Sequence, residues 1–264
     1  MIWQEISGNW FLVPPRPRAI VHFLGGAFVA AAPHLTYRWL LEALYEAGYA
    51  VIATPFINTF DHKAIALEAL TTFEQGLTVL KKKRPDLKDL PIYGLGHSMG
   101  CKVHLLIGSL PETYKQATRA GNIFVSFNNY PARKSIPMLE QALQQAKQFI
   151  PDFQLDQQLE FTPTPEQTLD LINNQYSTPY NLLVKFRKDN IDQTRPLSEV
   201  LVRRFPETTT IRLLAGTHTT PIAQDVRWQA STSFSPFDAI GQFMKQEFYR
   251  DIKGLRSEIL GWIG

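Results

Sequence analysis

The chain has a single cysteine, Cys101, among its 264 residues. One cysteine excludes an intramolecular disulfide and is typical of a protein from a reducing compartment. The sequence also lacks an apolar run of about 18 residues and an N-terminal apolar segment of the kind that begins a secretory signal. These absences predict a cytoplasmic protein without a transmembrane segment, and they leave peripheral membrane contact open.

Excess charge of one sign and metal-ligand clusters are scarce as well. The formal net charge is only +3, and the one basic cluster, Lys81-Lys82-Lys83-Arg84, closes a helical pattern, where cations interact favourably with the helix dipole. We therefore expect no nucleic-acid partner. No group of Cys and His has zinc spacing, and Gly94-x-Gly96 lacks the third glycine of a dinucleotide-binding loop. The sequence thus predicts no metal and no cofactor.

The chain does contain short apolar strands that alternate with amphipathic helices. The predicted strands include residues 10–13, 19–24, 49–53, 122–127, 182–186 and 210–214. The predicted helices include residues 33–47, 61–84, 197–203 and 235–262, the last with a break near Gly254. The first two strands are expected to form a hairpin or to be neighbours. This alternation predicts an α/β fold with a mostly parallel sheet that is covered by helices on both faces.

The alternation is interrupted between residues 128 and 179, where no comparable strand occurs. Residues 137–150 have apolar side chains at helical spacing, and Thr164-Pro165-Glu166-Gln167 is a capping box that begins another helix. We interpret residues 128–179 as a helical cap inserted into a core that is formed by residues 1–127 and 180–264.

The most informative segment is Gly94-Leu95-Gly96-His97-Ser98-Met99-Gly100, which lies between a strand-like run and a helix-like run. It contains G-x-S-x-G in the strand-turn-helix context of a nucleophile elbow. A serine on so sharp a turn requires neighbours without side chains, and Gly96 and Gly100 meet this requirement. The pattern predicts that Ser98 is a nucleophile and that the next helix directs free N–H groups at an anion formed beside it.

A serine nucleophile needs a base, and His218 is the candidate. It follows Gly216-Thr217 after the strand at residues 210–214, which is the position of the base in the chain order serine, acid, histidine. The other histidines are predicted to be structural: His22 in a strand, His104 in a helix, His97 beside the serine, and His34 and His62 at helix starts as caps or surface groups.

Two aspartates are candidates for the acid that orients His218. Asp189 occupies the turn after the strand at residues 182–186, although Phe186 stands where such a turn often has glycine. Asp192 lies three residues later and could reach the histidine from a longer turn. The sequence favours Asp189 and leaves Asp192 as the alternative, and either could instead cap the following helix.

Catalysis at a serine also needs two backbone donors for the oxyanion. One is predicted to be the N–H of Met99, at the start of the helix after the serine. The other is expected in the turn Gly25-Gly26-Ala27 after the strand at residues 19–24, where either the Gly26 or the Ala27 amide could serve.

Ser98, Asp189, His218 and the Gly25-Gly26 turn together resemble the α/β-hydrolase superfamily over nearly the whole chain. More narrowly, the sequence resembles an uncharacterised hydrolase-like family of cyanobacteria and plastids through Phe23-Leu24-Gly25-Gly26-Ala27-Phe28, Thr54-Pro55-Phe56, Thr59-Phe60-Asp61-His62, Gly94 to Gly100 and Gly216-Thr217-His218. The resemblance implies the α/β-hydrolase fold and a Ser-His-Asp triad, but no substrate. Leu24 departs from the histidine that many superfamily members have.

The motifs and the resemblance lead us to expect a serine hydrolase that acts on a small-molecule carboxylic ester or thioester. Apolar side chains on the cap helices are compatible with a lipid-like acyl group, and equally with packing of the cap on the sheet. An acyltransferase that uses the same triad and a non-catalytic receptor or scaffold of the same fold stay open as alternatives. The sequence does not indicate an oligomeric state.

Overall fold

The computed structural model describes residues 1–114, 117–135, 160–222 and 236–264, with side chains from residue 249 onward in the last range. An eight-stranded sheet lies at its centre. The strands are β1 (Gln4–Ile6), β2 (Asn9–Leu12), β3 (Ala19–Leu24), β4 (Tyr49–Ala53), β5 (Ile92–His97), β6 (Gly121–Val125), β7 (Asn181–Phe186) and β8 (Thr209–Leu214).

The order of the strands across the sheet is β1-β2-β4-β3-β5-β6-β7-β8. The strands from β4 to β8 pair in parallel, whereas β2 is antiparallel to both of its neighbours. The chain turns back from β4 across β3 to reach β5, so the order reverses at the β3–β5 pair. In parallel sheets a crevice opens beyond the carboxyl ends of such strands. The predicted mostly parallel sheet is therefore confirmed, and its topology directs attention to the turns after β3 and β5.

The prediction that β2 and β3 are neighbours was wrong. β4 lies between them, with Trp10 opposite Ala53 on one side and Ala19 opposite Tyr49 on the other. The segment that connects β2 to β3, Pro14-Pro15-Arg16-Pro17, has three prolines. Because proline supplies no N–H to a ladder, this segment does not turn β2 directly back onto β3.

The described helices cover both faces of the sheet, as predicted. They are α1 (Pro33–Thr36), α2 (Arg38–Glu46), α3 (His62–Lys83), α4 (Met99–Gly108), α5 (Ala132–Ser135), α6 (Pro165–Gln175), α7 (Thr194–Arg204) and α8 (Pro236–Ile263). α2 and α8 pack on one face, where Leu40 and Leu255 join the core around Val21. α3, α4, α6 and α7 pack on the other face. The capping box at Thr164 is confirmed, while the helix predicted at residues 137–150 lies outside the described residues.

The single helix predicted for residues 33–47 is two helices, because the chain leaves helical geometry at Tyr37. This residue has φ −114° and ψ 18° and separates α1 from α2. Its side chain is fully buried, with its ring 4.6 Å from the ring of Phe23. The Tyr37 hydroxyl lies beside the turn that follows β3 and forms hydrogen bonds that are described below.

The break predicted near Gly254 was also wrong, because α8 is continuous through this residue. Ile252, Leu255 and Ile259 are fully buried around it. Each such side chain contributes about 2 kcal/mol of burial, which outweighs the roughly 1 kcal/mol that glycine costs a helix. Among the described residues, no helix combines the length and the apolar character that crossing a membrane requires.

We predict opposite effects of the same substitution at two helical glycines. Gly254→Ala should raise the free energy of unfolding by about 1 kcal/mol, because an added methyl meets no atom within 4 Å and the helix gains propensity. Gly76→Ala in α3 should lower it by about 1–3 kcal/mol, because its Cβ would lie 2.5 Å from Asn9 Nδ2. Urea unfolding of both variants measures the two effects. Destabilisation by Gly254→Ala would contradict a continuous α8.

Candidate active site

Ser98 occupies the sharp turn between β5 and α4. It is one of three residues other than glycine with positive φ in the described chain, at φ 55° and ψ −117°. Its N–H donates to the Val125 carbonyl of β6 over 3.0 Å, which holds the turn against the sheet. A strained residue of this kind persists only where its surroundings determine its conformation. The side chain consequently stands above the carboxyl end of β5.

The turn at Ser98 is possible because its two glycines let backbone segments touch. A Cβ on Gly96 would lie 2.6 Å from the Cys101 nitrogen, and a Cβ on Gly100 would overlap the Leu24 carbonyl. The start of α4 therefore packs directly on the end of β3. Cys101 is buried in this helix, in agreement with a structural role for the single thiol.

Three of the predicted site residues meet in one hydrogen-bonded row. His218 Nε2 lies 3.0 Å from Ser98 Oγ, and His218 Nδ1 lies 2.9 Å from Asp189 Oδ2. The serine follows β5, the aspartate follows β7, and the histidine follows β8, so the three side chains come from the same edge of the sheet. The row joins a hydroxyl, an imidazole and a carboxylate that are far apart in the sequence.

The charge of Asp189 fixes the tautomer of His218. Burial by itself raises the pKa of Asp189, but the hydrogen bond and the charge of His218 outweigh it, so that the pKa lies below its usual value. The carboxylate accepts a further hydrogen bond from the Ile191 N–H over 3.1 Å. Because an ionised carboxylate only accepts, His218 Nδ1 donates to it, and Nε2 is left to accept a proton from Ser98.

Asp192, the alternative acid, is not brought to the histidine. Its Oδ1 pairs with Lys185 Nζ at 2.8 Å and also accepts from the Thr194 N–H at 3.0 Å, while its Oδ2 accepts from the Thr194 hydroxyl. It therefore holds the first turn of α7. This is the capping role that the sequence offered as the other explanation for an aspartate here.

The predicted oxyanion donors are not equally available. Met99 begins α4 next to Ser98, and Ala27 lies in the turn after β3, and both line the cavity over the serine. No described residue accepts a hydrogen bond from either N–H. The Gly26 N–H, in contrast, donates to the Tyr37 hydroxyl over 2.8 Å. The geometry therefore favours Met99 and Ala27 over Gly26.

Tyr37 and His97 form a buried connection that sequence reasoning missed. His97 Nε2 lies 2.9 Å from the His218 carbonyl oxygen, which can only accept, so Nε2 has the proton. His97 Nδ1 must then accept from the Tyr37 hydroxyl, 2.8 Å away. This chain of hydrogen bonds runs from the Gly26 amide through both side chains to the backbone of His218. No sequence signal marks it, because Tyr37 lies 60 positions from His97.

A cavity of about 560 Å³ lies over Ser98. Its apolar lining includes Phe28, Val29, Met99, Phe161, Ile191 and Ile222. Two polar side chains in the lining were not expected there. His62, predicted to be a cap or surface group, is 97% buried, because its ring stacks on Phe161 with the centroids 4.2 Å apart. Lys102 of α4 is also buried and faces the same cavity.

Comparisons with solved structures identify the fold. The chain is 17% identical to the esterase Pf2001 of Pyrococcus furiosus, with a TM-score of 0.51 over 97% of this chain and 87% of that one. It is 14% identical to a lipase in its open form, with a TM-score of 0.51 over 92% and 94% of the two chains. The chain is also 14% identical to the α/β-hydrolase GrgF from Penicillium sp. sh18, with a TM-score of 0.51 over 93% of this chain and 94% of that one. The protein therefore has the α/β-hydrolase fold, as the sequence predicted.

The family of the chain follows from its sequence. Residues 2–264 match the family described as "Protein of unknown function (DUF1350)". The chain belongs to this family, which agrees with the predicted resemblance to an uncharacterised hydrolase-like family. No curated protein matches the sequence.

We predict that stability falls as the pH decreases below about 6.5, because buried histidines stay neutral in the folded protein. Burial, followed by the charge of His218, lowers the pKa of His97 to about 3, and burial, followed by the charge of Lys102, lowers that of His62 to about 3. Between about pH 6.5 and pH 3 the unfolded chain therefore binds more protons. At pH 5 each histidine should cost about 2 kcal/mol of stability.

Urea unfolding at pH 7.5 and pH 5 measures this dependence. His62→Leu is the matched variant, because neither ring nitrogen of His62 has a hydrogen-bond partner to lose. In this variant the difference in bound protons between the unfolded and the folded state should be smaller by about one, so its free energy of unfolding should depend less steeply on pH. A free energy of unfolding that is unchanged between the two pH values would show that these imidazoles titrate normally in the folded state.

Proposed function

We propose that this protein is a serine hydrolase that cleaves a carboxylic ester or thioester. In this proposal Ser98 is the nucleophile, His218 is the general base and acid, and Asp189 orients the histidine. The observation that supports it most strongly is the unbroken row of hydrogen bonds from Ser98 Oγ through both nitrogens of His218 to Asp189. Its atoms are in the order and at the distances that activate a serine hydroxyl.

The first half of the reaction transfers the acyl group to the enzyme. Ser98 Oγ forms a bond to the carbonyl carbon while its proton moves to His218 Nε2. The carbonyl oxygen becomes an oxyanion, to which the N–H groups of Met99 and Ala27 donate. Protonated His218 then gives its proton to the departing alcohol or thiol, and the acyl group stays on Ser98.

The second half releases the acid and restores the enzyme. His218 Nε2 takes a proton from a water molecule, whose oxygen attacks the acyl carbon. The second oxyanion collapses, the bond to Ser98 Oγ breaks, and the serine regains its proton from His218. Asp189 stays ionised throughout and stabilises the imidazolium, in keeping with its lowered pKa.

We also propose that residues 128–179 act as a cap on a core of residues 1–127 and 180–264. The described part of this segment supports the division, because Asn129, Tyr130 and Phe161 line the cavity over Ser98. A cap in this position would exclude water and shape the acyl pocket. The apolar side chains of the cavity favour an acyl group with a hydrocarbon part. The single cysteine favours a cytoplasmic setting.

The two alternative functions differ from this proposal in what they require of Ser98. An acyltransferase would use the same groups, with an alcohol or thiol in place of water in the second step. A non-catalytic scaffold would not require an unengaged pair of N–H groups beside a hydrogen-bonded serine and histidine. Measuring acyl transfer to added alcohols separates the first alternative from hydrolysis, and loss of function on removing Ser98 Oγ separates the second.

We predict that Ser98→Ala lowers ester turnover by at least about a thousandfold, because no other described group in the cavity replaces the nucleophile. The variant should fold normally and should not react with a fluorophosphonate probe. Turnover of 4-nitrophenyl esters and labelling by the probe are the two measurements, with Ser109→Ala, a buried serine at the far end of α4, as the control. Turnover near the wild-type value in Ser98→Ala would exclude the mechanism.

The assignment of the acid has its own test. Asp189→Asn should lower kcat by about 10⁴, because an amide at this position stabilises the wrong tautomer of His218. Asp192→Asn should have a much smaller effect on kcat and should mainly lower stability, because it removes the ion pair with Lys185 and weakens the first turn of α7. Steady-state kinetics and thermal unfolding measure the two properties. The reverse result would assign the role to Asp192.

A further inference from the structure

The cavity over Ser98 has an unbalanced set of charged side chains. Among the described residues that line it are two lysines, Lys102 and Lys134, and no aspartate or glutamate. Lys134 is exposed at the edge of the cavity, whereas Lys102 has only 1% of its surface exposed. The ionisable amines that line the described part of the cavity are thus not matched by a carboxylate in the lining, and the buried one is Lys102.

Lys102 is poorly compensated in this position. Its Nζ donates to the Pro163 carbonyl over 3.2 Å and lies 5.7 Å from the centre of the Phe161 ring. No other described residue accepts a hydrogen bond from it. Burial lowers the pKa of Lys102 to about 7, although the charges of Glu160 and Glu166 act in the opposite direction. An ammonium group has three protons to donate, so two of them remain for a ligand.

The nearby carboxylates are engaged elsewhere. Glu160 Oε1 accepts from the N–H groups of Ala132 and Phe161 at 2.8 Å and 2.7 Å. Glu166 Oε2 accepts from the hydroxyl of Thr164 at the exposed start of α6. Within the described chain neither forms an ion pair with Lys102. These carboxylates therefore moderate the cost of the buried charge without occupying its hydrogen-bonding positions.

His62 provides a second polar group beside Lys102. It stacks on the same Phe161 ring, and neither of its ring nitrogens has a hydrogen-bond partner. Because its pKa is lowered to about 3 by burial and then by the charge of Lys102, the ring is neutral near pH 7 and has one N–H to donate. His62 is therefore a buried donor without an acceptor, and Lys102 is a buried amine with one carbonyl acceptor. Such groups are costly in a folded protein unless a ligand supplies the missing acceptors.

We propose that Lys102 and His62 form a subsite for an anionic oxygen group on the substrate, either a carboxylate or a phosphate. This inference rests on the proposed function, because it takes Ser98 as the reacting atom. Ser98 is the N-cap of α4, Lys102 lies four residues later in the same helix, and both residues line the cavity. The substrate is then an ester or thioester in which a short spacer joins the scissile carbonyl to the anion.

A matched pair of esters tests the subsite in the complete protein. The mono-4-nitrophenyl ester of glutaric acid has a free carboxylate, and its methyl-capped analogue is neutral. The wild type should have a kcat/KM for the anionic ester at least about tenfold above that for the neutral one, since a charged hydrogen bond contributes this much or more. A wild-type ratio at or below one overturns the proposal without reference to any variant.

Three substitutions locate the effect. Lys102→Met, which keeps an unbranched side chain but removes the amine, should reduce the ratio by about 10- to 100-fold through KM for the anionic ester. Lys102→Arg should keep part of the preference. Lys82→Met is the matched control, because Lys82 is exposed near the end of α3 and does not line the cavity. An unchanged ratio in folded Lys102→Met would contradict the assignment.

Binding without turnover separates the subsite from the proposed function. Calorimetry on Ser98→Ala should detect pentanoate or butyl phosphate more tightly than pentanol, and Lys102→Met in the same background should abolish the difference. Tighter binding of pentanoate assigns a carboxylate, and tighter binding of butyl phosphate assigns a phosphate. Binding that depends on Lys102, together with a wild type that hydrolyses neither ester, would refute the hydrolase alone. Equal binding of all three compounds would refute the subsite.

Discussion

The contact between the start of α4 and the end of β3 is the constraint on which the site depends. A Cβ on Gly100 would overlap the Leu24 carbonyl, so the backbone of α4 packs directly against the end of β3. Ser98 has a positive φ beside this contact, and Met99, the first residue of α4, lines the cavity. The contact also brings the turn after β3 beside the serine, and Ala27 of this turn lines the same cavity as Met99.

A second set of interactions ties the three loops of the site together. The hydrogen bonds from Gly26 through Tyr37 and His97 to the His218 carbonyl join the turn after β3, the elbow and the loop after β8. The lowered pKa of His97 keeps its ring neutral, so the direction of each hydrogen bond is defined. The break between α1 and α2 is part of the same arrangement, because it is what lets the Tyr37 hydroxyl reach Gly26. A helix boundary thereby contributes to the position of the proposed base.

The sequence was sufficient for the parts of the fold and the site that depend on local patterns. The alternation of strands and helices predicted the sheet, and the glycines around Ser98 predicted the turn, because both follow from periodicity and steric limits along the chain. Asp189 could not be separated from Asp192 in the same way. The two differ only in which contacts the loop gives them, and these involve Lys185, Thr194 and His218 on three different elements.

Long-range packing also explains the residues that were misplaced or missed. His62 begins a helix, which predicts an exposed ring, but Phe161 from a distant segment covers it. Lys102 is four positions after Ser98 in a mostly apolar helix, and it contacts Pro163 and Phe161 of a distant segment. The loss of Gly26 as a free donor depends on Tyr37. Sequence spacing carries no record of such contacts, and a structure is needed to find them.

The central claim is that Ser98 is a nucleophile beside donors from Met99 and Ala27. A crystal structure of the protein after reaction with a fluorophosphonate tests it most directly. We expect a covalent bond between phosphorus and Ser98 Oγ, with the phosphonyl oxygen accepting from the N–H groups of Met99 and Ala27. We also expect that the Gly26 N–H still donates to Tyr37. An unmodified Ser98, or an adduct whose phosphonyl oxygen points away from these amides, would contradict the account.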